Sequence, residues 1–281
     1  MQHSNTDDRT PGDGADRPDA THRSTRYVYV ARSRRAGGLS LGIDLTPSGH
    51  CSFSCVYCQA SHPPASSPNF TVDVARMRDD LILRLREDTA EELRDLVLAG
   101  SGEPTSVPNL AQALDAIQNV LETLGTTIPM RIFTNGRHFG RDDVTRALAA
   151  WCDRGGEVWV KLDGACADTV AAINGRRFDV REHLDATWSF AMQHPIGIQT
   201  MLFRGPGIPP VDRVVSELVE ALRQGLARGA GIREVHVLTL SRRPSDPAVA
   251  NVLEVLGQDE LQGLSLRICQ ATGLRVHAYP A

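Results

Sequence analysis

Between residues 40 and 240 the chain runs through strand-then-helix units, six in succession, each strand a short apolar run and each helix an apolar stripe at helical spacing. Parallel neighbours need crossovers, and the helices must bury their stripes against the sheet. The alternation therefore predicts an α/β fold, a partial (β/α)6 TIM-like barrel with parallel strands inside and helices outside. A third observation agrees. Gly100 to Glu103, Thr134-Asn135, Asp163 and Thr239 stand at the carboxyl ends of the predicted strands, where such barrels carry their reactive centre.

Each element follows from its residues. Residues 1–25 are rich in Asp, Pro, Gly, Ser and Thr and lack apolar periodicity, so they cannot offset the entropy of ordering and read as a disordered tail. Residues 26–281 read as one domain. Tyr27 to Val30 is a short β-like run, followed by Arg32, Arg34, Arg35 and a turn at Gly37-Gly38; Leu39 to Leu45 is the first buried strand. A helix from Val72 to Leu85 places Val74, Met77, Leu81 and Leu85 on one face. Strands follow at Asp95–Ala99, Met130–Phe133, Glu157–Asp163, Ile196–Phe203 and Arg233–Leu240. Helices are predicted with Leu110, Leu114, Ile117 and Leu121 on one face, over 142–152, 167–173 and 180–193, and with Val214, Leu218, Leu222 and Leu226 on one face. A last helix near 247–257 and short strands near 264–268 and 274–279 close the chain.

The formal charge of −4 gives no global electrostatic case for nucleic acid, although arginine clusters bind locally. Lys161 is the one lysine beside 29 arginines. No apolar run is long enough to span a bilayer, and the N-terminus lacks the basic-then-apolar pattern of a signal peptide. The expectation is a cytoplasmic protein with no membrane partner.

The strongest chemical signal is Cys51-Ser52-Phe53-Ser54-Cys55-Val56-Tyr57-Cys58, three thiols spaced C-x3-C-x2-C. Three closely spaced thiolates suit an iron–sulfur cluster or zinc, and a purely structural site of either kind wants a fourth ligand. Cys152, Cys166 and Cys269 are scattered, a pattern poor for a disulfide framework and good for a metal site in a reducing compartment. His50, His62 and Cys269 are the candidates to complete a zinc or structural site.

On the strand from Glu157, alternation sets Val158, Val160 and Leu162 on one face and Trp159, Lys161 and Asp163 on the other. With the apolar face against the helices, a lysine and an aspartate point into the barrel, where each needs a partner or a ligand. A Lys161–Asp163 or Lys161–Glu103 ion pair is the bland alternative. Thr134 and Asn135 read either as ligand contacts or as a turn or helix cap. Arg32, Arg34 and Arg35 read either as a solvated run or as contacts to an anionic substrate. His236 reads as a core histidine and Thr200 as a weak ligand candidate.

The cysteine spacing together with Gly100-Ser101-Gly102-Glu103-Pro104 resembles the radical S-adenosylmethionine (SAM) superfamily, which carries these thiols after the first barrel strand and a GGEP-type motif after the second. Ser101 departs from that motif. The run RYVYVARSRRAGGLSLGIDLTPSGHCSFSCVYCQ looks like the corresponding segment of the wyosine-synthase-like branch. LAGSGEPT, FTNG, VKLDGA, Ile173-Asn174, QTMLFRG and Arg243-Pro244 look like that branch too, so the resemblance covers roughly residues 26–250.

The resemblance implies that Cys51, Cys55 and Cys58 hold three irons of a [4Fe–4S] cluster, with the amino and carboxylate groups of SAM on the fourth. A reductant such as flavodoxin or ferredoxin would supply an electron, SAM would split to methionine and a 5′-deoxyadenosyl radical, and the radical would take hydrogen from a substrate that the sequence does not identify. Tyr57 would lie beside the adenine, and Gly100, Ser101, Gly102 and Glu103 would offer close backbone approach and amide groups to the amino-acid end of SAM. Thr134 and Asn135 would reach the ribose. Lys161 would bind the SAM carboxylate and Asp163 the ribose hydroxyls, similar to the Asp and Lys on this strand in glycyl-radical activases. No acid or base is assigned, and Lys161 is the one catalytic candidate.

True wyosine synthases bind a second cluster through three cysteines before the radical SAM motif and capture pyruvate with a lysine. This sequence has no cysteine before Cys51, and Lys161 falls on a different element. That argues against tRNA guanosine modification, which stands as the alternative enzyme reading. A non-catalytic iron–sulfur or zinc protein for electron transfer or partner binding is the alternative outside enzymes.

Overall fold

Strand pairing follows the apolar runs in chain order. The computed structural model describes residues 25–60, 70–87 and 92–281; the predicted tail, apart from Thr25, and His62 lie outside them. Eight strands form one sheet in sequence order. They are β1 (Val28–Ser33), β2 (Gly38–Ile43), β3 (Leu93–Leu98), β4 (Met130–Thr134), β5 (Gly156–Lys161), β6 (Ile196–Met201), β7 (Ile232–Leu238) and β8 (Val276–Tyr279). From β2 to β8 every pairing is parallel. The architecture is a mixed α/β half-barrel, a partial TIM-like barrel, as the alternation predicts.

The crossovers are α1 (Val74–Leu85), α2 (Leu110–Leu124), α3 (Asp142–Asp153), α4 (Ala167–Asn174), α5 (Val180–Ala191) and α6 (Val211–Ala227), followed by α7 (Pro247–Ala250) and α8 (Gln258–Thr272). Each helix buries one stripe. Leu110, Leu114, Ile117 and Leu121 of α2 and Val214, Leu218 and Leu222 of α6 enter the main core. On the sheet side that core receives Ile43, Leu98, Ile132, Val158, Val160 and Ile198, all fully buried. Strand alternation sends the next residues inward, where Val97, Phe133 and Trp159 form a second, smaller cluster.

The β-like run at Tyr27 becomes β1, an antiparallel edge strand in register Val28↔Ile43, and the strand expected near 274–279 is β8, so the sheet has eight strands rather than six. The elements between β7 and β8 depart from expectation. The helix predicted near 247–257 closes after one turn, at Ala250. The strand predicted near 264–268 lies inside α8. There the alternation of Leu264 and Leu266 misleads: Leu261, Leu264, Ser265 and Ile268 are the buried set, at helical spacing, and Leu266 is 61% exposed. Asp259 and Glu260 in the first turn and left-handed Gly273 at the end complete the helix.

The turn between β1 and β2 ties the two edges of the half-barrel together. Arg34 donates to the carbonyls of Tyr279 (3.3 Å), Pro280 and Thr239 (3.4 Å). Its guanidinium so spans from the β1 edge to the ends of β7 and β8. Among the described residues no helix is long and apolar enough to cross a membrane.

A buried histidine makes the fold acid-sensitive. His183 of α5 is 5% exposed, its Nδ1 has no partner, and its ring meets Phe178 edge-on at 5.4 Å. Burial first, and the charge of Arg137 second, push it down from 6.5 to about 4. The folded ring therefore stays neutral where the unfolded one takes a proton, so its contribution is full above pH 6.5 and is lost as pH falls toward 4. We expect unfolding free energy to drop by roughly 1.4 kcal/mol per pH unit across that window from this group. Denaturant titrations at pH 7 and 4.5 measure the slope; an unchanged slope in His183→Gln would refute the assignment.

Candidate active site

The cysteine loop leaves β2 and is stitched to a helix far along the chain. A helix end leaves its last carbonyls without intrahelical partners. Here the end of α4 supplies two of them to the loop: Ser54 N–H donates to Asn174 O and Val56 N–H to Ile173 O, both at 2.9 Å. Asn174 also donates from Nδ2 to Cys55 Sγ at 3.2 Å. Gly175 ends the helix at φ 64°, and a Cβ there would stand 2.5 Å from Ser54 O. Only glycine accepts both the left-handed backbone and that contact. On the other side, Ser245 N–H donates to Cys58 O at 2.8 Å.

Held in this way, Cys51, Cys55 and Cys58 line one cavity of about 100 Å3 together with Phe53, Tyr57, Gly100, Gly102, Glu103, Asn135, Lys161 and Asp163. Residues from the ends of β2, β3, β4 and β5 thus meet at one place. The cavity opens beside a larger one of about 690 Å3, to which Tyr57, Cys58, Gly100 and Lys161 also belong.

The loop from Gly100 to Thr105 is shaped around two carboxylates. Asp44, just past β2, accepts from Thr46 N (2.9 Å) through Oδ1 and from Ser101 N (2.9 Å) through Oδ2. Glu103 is a denser node. Its Oε1 accepts from Thr105 N (3.0 Å), Thr105 Oγ1 (2.6 Å) and Thr134 Oγ1 (2.6 Å), and its Oε2 accepts from Asn135 N (2.8 Å). Its own N–H donates to His50 O at 2.8 Å. A Cβ on Gly102 would lie 2.0 Å from that His50 oxygen, so the close approach requires glycine.

These contacts sort the expected site residues. The amides of Ser101 and Glu103 are already bonded within the protein, and Ser101 is absent from the wall of either cavity. Thr134 is 1% exposed and sits behind Glu103 rather than on the wall. Asn135 is on the wall, its Nδ2 donating to Ser52 Oγ at 2.9 Å and standing 3.9 Å from Cys51 Sγ. Asp163 accepts from Asn174 Nδ2 and Met201 N, each at 2.9 Å, and from the Tyr57 hydroxyl. Lys161 pairs with neither Asp163 nor Glu103, and its half-buried ammonium lies on the wall shared by both cavities.

Asn174 and Asp44 carry structural roles that residue-by-residue reading missed. Both stand inside quoted sequence likenesses, Ile173-Asn174 and SLGID, which was the available signal.

The three thiols are soft donors, although among the described residues no group of three His, Cys, Asp or Glu side chains is gathered closely enough to hold a metal ion. In the protein alone, burial first and Glu103 second push the Cys51 thiol up to about 11, and burial with Asp163 pushes Cys55 up to about 12. Thiolates there need compensating positive charge, which a coordinated metal would supply. All three are free of disulfides.

No family model matches the chain. A GTPase Obg of Brachyspira hyodysenteriae is 35% identical over 116 residues, 40% of this chain and 16% of that protein. A UPF0026 protein of Synechocystis sp. is 30% identical over 138 residues, 49% of this chain and 48% of that protein. The chain thus spans about half or less of the curated relatives it matches. A solved structure of TYW1 with a bound lysine–pyruvate adduct superposes with a TM-score of 0.53 at 17% identity, covering 82% of this chain and 73% of that one. The likeness to the wyosine-synthase-like branch, first visible in the sequence, is therefore also one of fold.

Proposed function

We propose that this chain is a radical SAM enzyme in which Cys51, Cys55 and Cys58 hold a [4Fe–4S] cluster. The observation that carries the reading is the meeting of these thiols with Gly100, Gly102, Asn135, Lys161 and Asp163 around one small cavity. A bound cluster and SAM would supply a one-electron reductive cleavage that yields methionine and a 5′-deoxyadenosyl radical.

The chain's own residues do the positioning. Gly100 and Gly102, packed against Asp44 and His50, line the cavity where the amino-acid end of SAM would lie. Lys161, which has no ion pair among the described residues, offers its ammonium to the SAM carboxylate. Tyr57, fixed through its hydroxyl to Asp163 and edge-on to Phe203 at 5.6 Å, presents a held ring for the adenine. Glu103 and Thr134 act through Asn135, whose position they set.

Anaerobic reconstitution tests this. We expect about four irons per chain and 5′-deoxyadenosine from SAM with dithionite; a chain that binds only zinc, or whose reduced cluster leaves SAM intact, is the non-catalytic alternative. The sequence likeness to the wyosine-synthase-like branch keeps tRNA guanosine modification as a second reading. Filter binding to tRNA across a salt series discriminates, and no salt-dependent affinity removes it.

A further inference from the structure

The larger cavity has a composition opposite to that of the whole molecule. The chain carries a net −4, yet among the described residues the cavity wall holds five cationic side chains, Arg32, Arg34, Arg35, Lys161 and Arg242, and no carboxylate. Arg35 and Lys161 are half-buried and Arg32, Arg34 and Arg242 exposed, and cations gathered on one wall without acids repel one another.

Arg35 is the centre of this wall. Its guanidinium lies 4.0 Å over the Phe133 ring and donates from Nη1 to Gln199 Oε1 at 2.8 Å. It forms no ion pair among the described residues, and one bond leaves most of a five-donor fork unspent. The nearby acids are committed elsewhere: Asp95 to Arg131 at 2.6 Å and to Ser40, Asp44 to Thr46 and Ser101. Arg34 is held by main-chain carbonyls, which fix its charge without neutralising it. Burial and the Arg242 charge both push it below its usual value. Arg242 itself is exposed at the rim.

A single carboxylate would neutralise one of these groups. A phosphoryl group carries about −1.5 to −2 and matches guanidinium forks with paired oxygens. The volume of about 690 Å3 falls within the range of roughly 300–1,000 Å3 usual for small-molecule sites. Resting on the radical SAM reading above, we infer that the substrate is a small phosphorylated molecule. Its phosphoryl group is held by Arg35 with Arg34 and Arg242, and its remainder reaches past Lys161 to Cys58 and Gly100.

Calorimetric titration of inorganic pyrophosphate into the cluster-reconstituted full chain at fixed ionic strength tests it. Arg35→Met is expected to weaken binding by about tenfold or more, the scale of a charge-assisted fork. Arg242→Ala, an exposed change that spares the fold, is expected to weaken it severalfold. Saturating SAM is expected to leave the affinity within about twofold, since the two occupy adjoining cavities. Absent binding, binding unchanged in both variants, or displacement by SAM overturns the inference. SAM cleavage on the same samples separates it from its premise. Cleavage without pyrophosphate binding refutes the substrate class and leaves the radical reading standing; binding without cleavage refutes the radical reading, and the substrate assignment falls with it. Arg35-dependent tRNA binding in a chain that ignores pyrophosphate assigns the wall to nucleic acid and overturns the small-molecule form.

Discussion

Cys55→Ala is expected to take reconstituted iron from about four per chain to below about one and SAM cleavage to background. The reason is local. Cys55 reaches the cavity with its Sγ, while the loop's anchors, Ser54 N–H and Val56 N–H on the end of α4, are main-chain bonds that alanine keeps. The variant should therefore keep its fold while losing the ligand and the Asn174 Nδ2 bond to Sγ. Cys269 stands on α8 and is absent from the cavity wall, so Cys269→Ala is expected to keep its iron. Iron and sulfide analysis after anaerobic reconstitution measures both. Equal loss in the two variants would point to a remote fourth ligand and sink the open-iron reading.

Glu103→Gln is expected to cost about 3 kcal/mol of stability, because hydrogen bonds to a charged acceptor are worth about 1.5–3 kcal/mol and a buried donor left unmatched adds to the loss. Glu103 is 3% exposed and accepts four hydrogen bonds. An amide in its place must turn its NH2 either toward the Thr105 and Thr134 donors or toward Asn135 N–H, so at least one donor faces another donor. For a domain somewhat above 200 residues this corresponds to a fall in melting temperature of roughly 6–10 °C. Scanning calorimetry of the metal-free chain reads it without the cofactor. A melting temperature within about 2 °C of wild type would show that Glu103 is spared for ligand binding, as the motif alone suggests, and not spent on the loop.

The difference between motif and structure is sharpest at these residues. Gly100, Gly102 and the three thiols are legible in sequence because their chemistry is local: a thiolate is a soft ligand wherever it stands, and only a residue without a Cβ fits where one would stand 2.0 Å from a carbonyl oxygen, as at Gly102. Lys161 and Asp163 are legible through alternation, which placed them opposite Val158 and Val160. Glu103, Thr134 and Ser101 look alike on the page, each a polar residue at a strand end, but their hydrogen bonds turn them into supports for the loop. Asn174 was missed because its partner, Cys55, lies 119 positions away. The helix misread near 264–268 shows the same limit at short range, since Leu264 and Leu266 satisfy a strand pattern until burial chooses Leu261, Leu264 and Ile268.

By itself the sequence determined the alternation of strand and helix, the side of β5 that faces inward, and the identity of the thiols, because period and donor chemistry are properties of neighbouring residues. Tertiary structure alone decided that the end of α4 holds the cysteine loop, that Glu103 is consumed as a node, and that Arg35 faces a cavity without an acid among the described residues. Those outcomes depend on which polar groups from distant segments are buried together, and a buried group must find its partner wherever the fold brings one.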